Sequence, residues 1–320
     1  MGHAPTSRRE HAAPRGPHPK HPHPEGVAVM ANTLLIAEQT ARVAATIVGQ
    51  DMNLAALVHR DLEADFAAGK GATVKVRVPG AVASQTRGIY DTSTPLVSDE
   101  IAEQSIDVTL TEHVYDKVAL SEGTLNLDIK SFSEQVLRPQ SLAVAKHVER
   151  AVAAVMKATP EDIAIAHDPL APAKTFTQIR RKLRTAGVST DEALFAAVGP
   201  GVYAELLDHD AIDDNGKVRG IEIHESTRLA DDEIVGFIRP AFALVVRAPQ
   251  VPNGAPYGAS ITEGGFALRH IMSYDDNVAA DRSLVSAFVG VKAMPLPVDL
   301  ENGTIELREN GGAVRVLTSA

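Results

Sequence analysis

The sequence predicts an α+β fold. Segments with the apolar spacing of helices are mixed with short strands, without the regular strand–helix–strand rhythm of parallel α/β proteins. Two alternating strands, at 73–78 and 106–111, are separated by about 28 residues that have no core-forming pattern of their own. A helix of about 20 residues, roughly 30 Å long, is predicted to end near residue 158.

Composition narrows the classes of function. Of the 320 residues, 44% are hydrophobic and 22% are charged, the balance of a globular protein with a large core. The chain has no cysteine, so disulfides, thiolate catalysis, zinc fingers and iron–sulfur clusters are excluded. No run approaches the roughly 18 consecutive apolar residues of a membrane span. The net charge of −10 argues against a surface that grips DNA, and the 4% of aromatic residues argues against base stacking.

Residues 1–29 are predicted to be a disordered, Pro- and His-rich leader. They hold six of the 19 prolines and five of the 12 histidines, and they have no apolar period that could offset the entropy of ordering. They also lack the apolar region of a secretory signal. A metal-binding tail is the alternative, because histidine clusters can bind metal. Removing the four basic and two acidic residues of this leader leaves a net charge of −12.

The patterned chain starts at Met30. A helix is predicted over 33–48, with Leu35, Val43 and Ile47 along one edge, and helical spacing resumes after Gly49. The two alternating strands then form a projecting hairpin with a long loop. The apolar side chains on one face of these strands are Val74, Val76, Val78, Ile106, Val108 and Leu110.

The sequence Ser131-Phe132-Ser133-Glu134 is a capping box and predicts a helix start. Because proline removes a hydrogen bond from a helix, we expect this short helix to end near Arg138, and a new one to begin with Pro139 in its first turn. At the end of the chain, Thr304–Arg308 and Ala313–Leu317 flank Glu309-Asn310-Gly311-Gly312, which predicts a β-hairpin.

The sequence lacks the common catalytic, nucleotide-binding and metal-binding motifs. The sequence has no Walker loop, no GxGxxG after a strand, no HExxH and no nucleophile elbow. An acidic run around His209 is the nearest metal-like cluster, but its spacing does not fit a calcium loop, and we interpret it as a solvated turn. We therefore assign no catalytic, cofactor or metal residue and predict that the protein is not an enzyme. A metal-dependent α+β hydrolase using this run stays as an alternative. The acidic residues are Asp208, Asp210, Asp213 and Asp214.

A basic patch lies on the amphipathic helix predicted at 175–187. Its four cations are close together on a chain of negative net charge, so they could meet phosphate or an acidic partner. A solvated helix face is the simpler interpretation. The patch consists of Arg180, Arg181, Lys182 and Arg184.

The order of these segments resembles the tailed-bacteriophage major capsid (coat) protein family, whose fold is shared with herpesvirus coat proteins and encapsulins. The resemblance covers about 30–293 and is made of structural motifs in order, not of catalytic residues. It rests on GKGATVKVRVPG (69–80), VTLTEHVYDKVALSEGTLNLDI (108–129), the helix from Phe132 to Met156, LRTAGVSTDEALFAAVGPGVYAELLDHDAI (183–212) and GKVRGIEI (216–223).

The resemblance implies a set of domains, and the C-terminal part departs from the family pattern. The implied boundaries are an N-terminal arm at 30–68, an extended loop at 69–120, a peripheral domain with the spine helix at 121–160 and 284–293, an axial domain at 161–283, and a C-terminal β-hairpin extension at 294–320.

The resemblance also implies a function. The chain is expected to be a structural major capsid protein that self-assembles as pentamers and hexamers into an icosahedral shell around double-stranded DNA, without sequence-specific contact. A separate scaffolding protein and a portal are the implied partners; no cofactor and no membrane are implied. The implied location is the virion capsid, assembled in the host cytoplasm. An encapsulin-like nanocompartment shell and a tail or neck component remain alternatives.

An arm and a hairpin without a closed core need a neighbour to bury their apolar residues, and stable interfaces generally bury more than about 1,200 Å². We therefore expect inter-subunit contacts from both segments. The candidates are Leu35, Val43, Ile47, Val74, Val76, Val78, Ile106, Val108 and Leu110.

Overall fold

The structure, a computed structural model, describes residues 33–50, 52–60, 71–78, 80–96, 98, 100–124, 131–255, 257–263 and 266–318. The predicted leader at 1–29 and part of the predicted arm, at 61–68, lie outside the described residues, as does the side chain of Leu35.

The described residues form five α-helices and fourteen strands, and the predicted α+β class is confirmed. None of the described helices is both long and apolar enough to cross a membrane. The helices are α1 (Thr33–Gln50), α2 (Leu54–Leu57), α3 (Arg138–Lys157), α4 (Ala173–Thr185) and α5 (Pro200–Asp208). The strands are β1 (Thr73–Val78), β2 (Gln104–Thr109), β3 (Glu112–Ser121), β4 (Leu194–Val198), β5 (Lys217–Val218), β6 (Ile221–Glu225), β7 (Glu233–Ile238), β8 (Phe242–Arg247), β9 (Tyr257–Glu263), β10 (Phe266–Asp275), β11 (Ala280–Ala293), β12 (Leu296–Asp299), β13 (Ile305–Arg308) and β14 (Ala313–Leu317).

The first of two five-stranded sheets is built around β11, which is 14 residues long. One edge of β11 pairs with β3, and the other edge pairs first with β10 and then with β8, all antiparallel. Strand β9 extends the sheet beyond β10. Helix α3 packs across β11 and β3 and buries a stripe at helical spacing, Val144, Val148, Val152 and Met156.

Helix α1 lies on the same sheet, over β9 and β10, and also contacts α3. Its inner face consists mainly of small residues, so the helix approaches the sheet closely; Ala41, Ala44, Ala45 and Val48 are fully buried there. The described part of the arm therefore packs on its own subunit, and the expectation that the arm lacks a core of its own is wrong for this helix.

The second five-stranded sheet has the order β14-β7-β4-β6-β5. Only β4 and β6 run parallel; the other neighbours are antiparallel. Every residue of β4 and β7 is buried, which explains their almost continuous apolar sequence. Helix α4 packs beside β7 and β14 through its apolar side, with Phe176, Ile179 and Leu183 fully buried.

Two sequence predictions of local structure are wrong. Helix α3 does begin at Arg138 with Pro139 in its first turn, as predicted, but no break precedes it: a π-helical turn at Ser133–Leu137 runs directly into α3. This turn already departs from the i→i−4 bonding pattern, so a proline in the next turn is accommodated without ending the helix. The capping box is absent too, because the backbone N–H of Ser131 is bound by the Gln135 side chain, at 3.1 Å, and not by Glu134.

The predicted C-terminal hairpin is also wrong, because its two strands belong to different sheets. Strand β13 pairs with β12, and β14 pairs with β7. The chain turns tightly at Asn310, but β14 then pairs with β7 and not with β13, because its apolar side chains are buried in the second sheet. There Val314 and Val316 are buried, and Arg315 binds the buried carboxylate of Glu233 at 2.6 Å.

A buried polar chain joins the spine helix to the first sheet. Gln140 of α3 donates to the backbone oxygen of Ser283, at 3.0 Å, and accepts from the Ser283 hydroxyl at 2.7 Å. That hydroxyl oxygen in turn lies 3.1 Å from Nε2 of His270, so the histidine donates from Nε2. His270 is almost fully buried, and desolvation lowers its pKa from 6.5 to about 4.

This shift predicts a loss of stability in acid. Because the folded state keeps His270 neutral, its contribution is fully present above pH 6.5 and is lost as the pH falls towards 4. Between pH 7 and pH 4, the free energy of unfolding of the wild type should fall by about 3 kcal/mol more than that of His270→Gln, which retains a donor for Ser283. Urea unfolding at the two pH values measures this difference. The exposed His209→Gln is the control. Equal acid sensitivity in wild type and His270→Gln would contradict this prediction.

Candidate functional site

Strands β1 and β2 form the predicted hairpin, with Val74 opposite Val108 and Val76 opposite Ile106. Their apolar face lies on the outer side of β8, where the small residues Ala243 and Val245 leave room for it. Val78, Ile106 and Val108 are buried there, and Val74, Val76 and Leu110 are partly buried against the same cluster.

The expectation that this valine face needs a neighbouring subunit is therefore wrong for its buried members. The alternating pattern correctly identified one apolar face, but it could not reveal that β8 of the same chain covers it. Side-chain bonds to backbone oxygens also attach β2 to the body: Lys292 donates to Asp107, and Gln104 donates to Ile305 at 2.9 Å.

At the base of the hairpin the chain crosses β11 at Gly290. A Cβ added to Gly290 would collide with the backbone carbonyl of Thr109. Only glycine therefore allows the end of β2 to pass this close to β11, and the crossing fixes where the extended loop leaves the body.

The loop between β1 and β2 carries exposed apolar side chains that the sequence reasoning missed. Ile89 is 94% exposed, Tyr90 95% and Leu96 79%. Val82 and Ile101 are also exposed. The signal that could have revealed them is the presence of large apolar residues in a segment that has no core-forming pattern of its own.

A compact turn supports this loop tip. The Asp91 carboxylate accepts hydrogen bonds from the backbone and hydroxyl groups of Ser93 and Thr94, over 2.5–3.2 Å. The Thr94 hydroxyl, followed by the groups of Ser93, holds the pKa of Asp91 well below its usual value. Arg87 donates to the Thr94 carbonyl at 2.9 Å and closes the turn from the other side.

The arm presents less apolar surface than expected. Val43 points away from the sheet and is 42% exposed, whereas Ile47 is half-buried. Of the two arm candidates whose side chains the structure describes, Val43 is the more exposed, and a contact between subunits at Leu35, Val43 and Ile47 stays a prediction.

A buried carboxylate holds the end of the arm on the spine helix. Glu149 of α3 accepts the backbone N–H groups of Asn53, Leu54 and Ala55 at 2.9, 3.1 and 3.0 Å. The three donors belong to the first turn of α2, where backbone N–H groups have no partner within a helix. Sequence reasoning missed this contact because a lone glutamate in a helix carries no visible signal.

Three of the four cations of the basic patch contact groups of neighbouring loops. Arg180 donates to the carbonyl of Arg219 at 3.3 Å, and Arg184 donates to the carbonyls of the loop at 190–192. Lys182 pairs with Asp162 at 3.0 Å, and Arg181 is exposed. The patch therefore acts first as a support for neighbouring loops, and binding of phosphate or an acidic partner stays a prediction.

The acidic run forms a turn. The Asp213 carboxylate accepts the backbone N–H groups of Asn215 and Lys217 at 3.0 and 2.7 Å, which places this carboxylate in its own turn. Within the described ranges, no three histidine, aspartate or glutamate side chains come together in a group able to hold a metal ion.

No family model matches the sequence, and no curated protein matches it. The fold, by contrast, is similar to solved phage structures. A structure from Mycobacterium phage Che8 has a TM-score of 0.58 at 16% identity, over 84% of this chain and 92% of that chain. The capsid structure of cyanophage P-SCSP1u has 0.54 at 12% identity, over 82% and 86%. The capsid asymmetric unit of cyanophage A-1(L) has 0.52 at 10% identity, over 92% and 96%.

The chain therefore has the fold of phage capsid proteins. The resemblance to tailed-phage major capsid proteins is confirmed for the fold.

The crossing at Gly290 predicts a sensitive position. We expect Gly290→Ala to destabilise the protein by about 1–3 kcal/mol, because the new methyl group must displace the backbone at Thr109. The midpoint of urea unfolding measures this loss. Gly254→Ala is the matched control, since an added Cβ there has no neighbour within 4 Å. Equal midpoints for the two variants would show that the crossing is loose.

The Glu149 contact predicts a local effect on the arm. Glu149→Gln keeps the size of the side chain but replaces one acceptor by a donor, which then faces a backbone N–H. We expect a loss of about 1–3 kcal/mol and faster hydrogen exchange at the amides of 53–55. The exposed Glu134→Gln on the same helical run serves as the control. Unchanged exchange at these amides would contradict the role given to Glu149.

Proposed function

We propose that this chain is the major structural subunit of an icosahedral phage shell. One observation carries the proposal: the fold matches over 84% of this chain and 92% of the Mycobacterium phage Che8 chain. Two further structures with this fold are described as phage capsids. In this role the protein is architectural and performs no reaction.

The extended loop supplies the surface for assembly. Its base is fixed on β8, whereas Ile89, Tyr90 and Leu96 at and near the tip are almost fully in contact with solvent. Burying one such side chain contributes about 1.5–3 kcal/mol. Several of them from each subunit, repeated around a closed shell, would stabilise contacts between neighbours.

Pentamers and hexamers of this subunit would enclose double-stranded DNA without sequence-specific contact. The net charge of −10 supports this, because strong phosphate contacts would hold the DNA during packing. A separate scaffolding protein and a portal would complete assembly in the host cytoplasm, and the mature location would be the virion.

Electron microscopy of the purified full chain tests the shell. Closed particles of uniform size are expected, either from the chain alone or after co-expression with a scaffolding protein. Particles from infected or induced cells should contain nuclease-protected DNA. Tubes, rings or persistent monomers under both conditions would overturn the proposal, and shells that hold a protein cargo and no DNA would indicate a nanocompartment.

The loop tip can be tested separately. We expect Ile89→Ser combined with Tyr90→Ser to leave subunit folding unchanged, because both side chains are exposed, and to reduce the yield of closed shells at least tenfold. Sedimentation and circular dichroism measure the two properties. Leu170→Ser, at a residue 85% exposed outside the loop, is the control. Normal shell yield from the double variant would show that the tip makes no important contact.

A further inference from the structure

A cavity of about 250 Å³ lies on the face of the first sheet that carries α1. This volume is several times the roughly 30 Å³ that one water molecule occupies, so the cavity can hold a small organic group. It is lined by Ala37, Thr40, Tyr257, His270, Met272, Ser273, Tyr274 and Asp281.

Strand register brings two tyrosines and an aspartate together. Tyr257 of β9 is opposite Met272 of β10, and Tyr274 of β10 is opposite Asp281 of β11. Because side chains two residues apart point to the same side of a strand, all four project from one face. Tyr257 and Tyr274 are diagonal neighbours, with about 7–8 Å between their positions, so their rings can flank a small group.

The surroundings of this cavity are negative. The Tyr274 hydroxyl donates to Glu122 at 2.9 Å, and this bond, together with desolvation and the charges of Glu122 and Asp281, raises the pKa of Tyr274. The Asp281 carboxylate has no ion-pair or hydrogen-bond partner in the part of the chain that the structure describes. His270 adds no positive charge at neutral pH, because burial lowers its pKa to about 4.

We propose that this cavity, the tyrosine cage, binds an organic cation that carries an alkylammonium or guanidinium group. Aromatic faces attract such cations, and the free carboxylate of Asp281 balances their charge. A bare metal ion fits less well, because two walls are aromatic and the described carboxylates and histidines form no group of three. The cation could be the side chain of a basic residue in a peptide or a free alkylamine, since both offer the same group. The proposal does not depend on shell formation.

Saturation-transfer NMR on the full chain tests the cage, and it works equally for free subunits and large particles. The probes are n-butylammonium chloride and n-butanol, a neutral molecule of the same shape, at matched ionic strength. We expect the ammonium to bind and the alcohol to bind at least fivefold more weakly. Comparing butane-1,4-diamine with N-acetyl-lysine methylamide then distinguishes a free amine from a peptide side chain as the better ligand.

Two variants locate the binding. Tyr257→Leu and Asp281→Asn should each weaken n-butylammonium binding about fivefold to tenfold. The controls are Tyr115→Leu, an exposed tyrosine on β3 of the same sheet, and Asp276→Asn, an exposed aspartate in the adjoining turn. Both controls should bind as the wild type does.

Clear outcomes would overturn the proposal. Equal binding of butylammonium and butanol would mean that the cavity is merely apolar. Wild-type affinity in both cage variants would mean that the cation binds elsewhere. Asp281→Asn changes no side-chain volume appreciably, so it decides the question even if Tyr257→Leu alters folding; a thermal melt of each variant checks this.

Discussion

The packing of α3 on the long strand β11 is the contact on which the rest of the described structure depends. One edge of β11 pairs with β3, and the other edge pairs with β10 and then with β8. The arm then rests on β9 and β10, and the hairpin base rests on β8. The apolar stripe of α3 supplies the attraction, and the buried Gln140–Ser283–His270 chain fixes the register between helix and sheet.

The apolar residues of the hairpin and its loop fall into two groups with different roles. Those on β1 and β2 are buried against β8 and stabilise the subunit itself. Those beyond the strands, such as Ile89 and Tyr90, are left in solvent, although a turn around Asp91 organises their backbone. A segment that is locally ordered but apolar at its surface is suited to contact another chain, because little conformational entropy remains to be lost on binding.

Much of this fold could be predicted from the sequence. Periodicity identified α1 and the hairpin strands because the pattern of each depends on its own neighbours in sequence, and the order of the motifs indicated the capsid fold. Partners distant in sequence were less accessible. The pairing of β14 with β7, and the cover that β8 provides for Val108, depend on burial that no local pattern encodes. The helix through Pro139 depends on a π turn, which has no sequence signature.

The candidate surfaces were predictable only in part. The sequence identified the two paired strands of the hairpin but placed the apolar contact residues on those strands, whereas the structure exposes large apolar residues in the loop between them. The Glu149 contact and the tyrosine cage escaped notice because each joins residues from separate elements. Tyr257 and Asp281, for example, meet only through the register of three adjacent strands.

The glycine at position 290 has a geometric consequence for a curved assembly. Since backbone meets backbone at that crossing, the root of the loop has no space to tilt towards β11. In the proposed shell, subunits at five-fold and six-fold positions would meet their neighbours at different angles, and the same loop would have to adapt to both. The adjustment would fall on the described residues between 80 and 103, which form no helix or strand, while the root moves least.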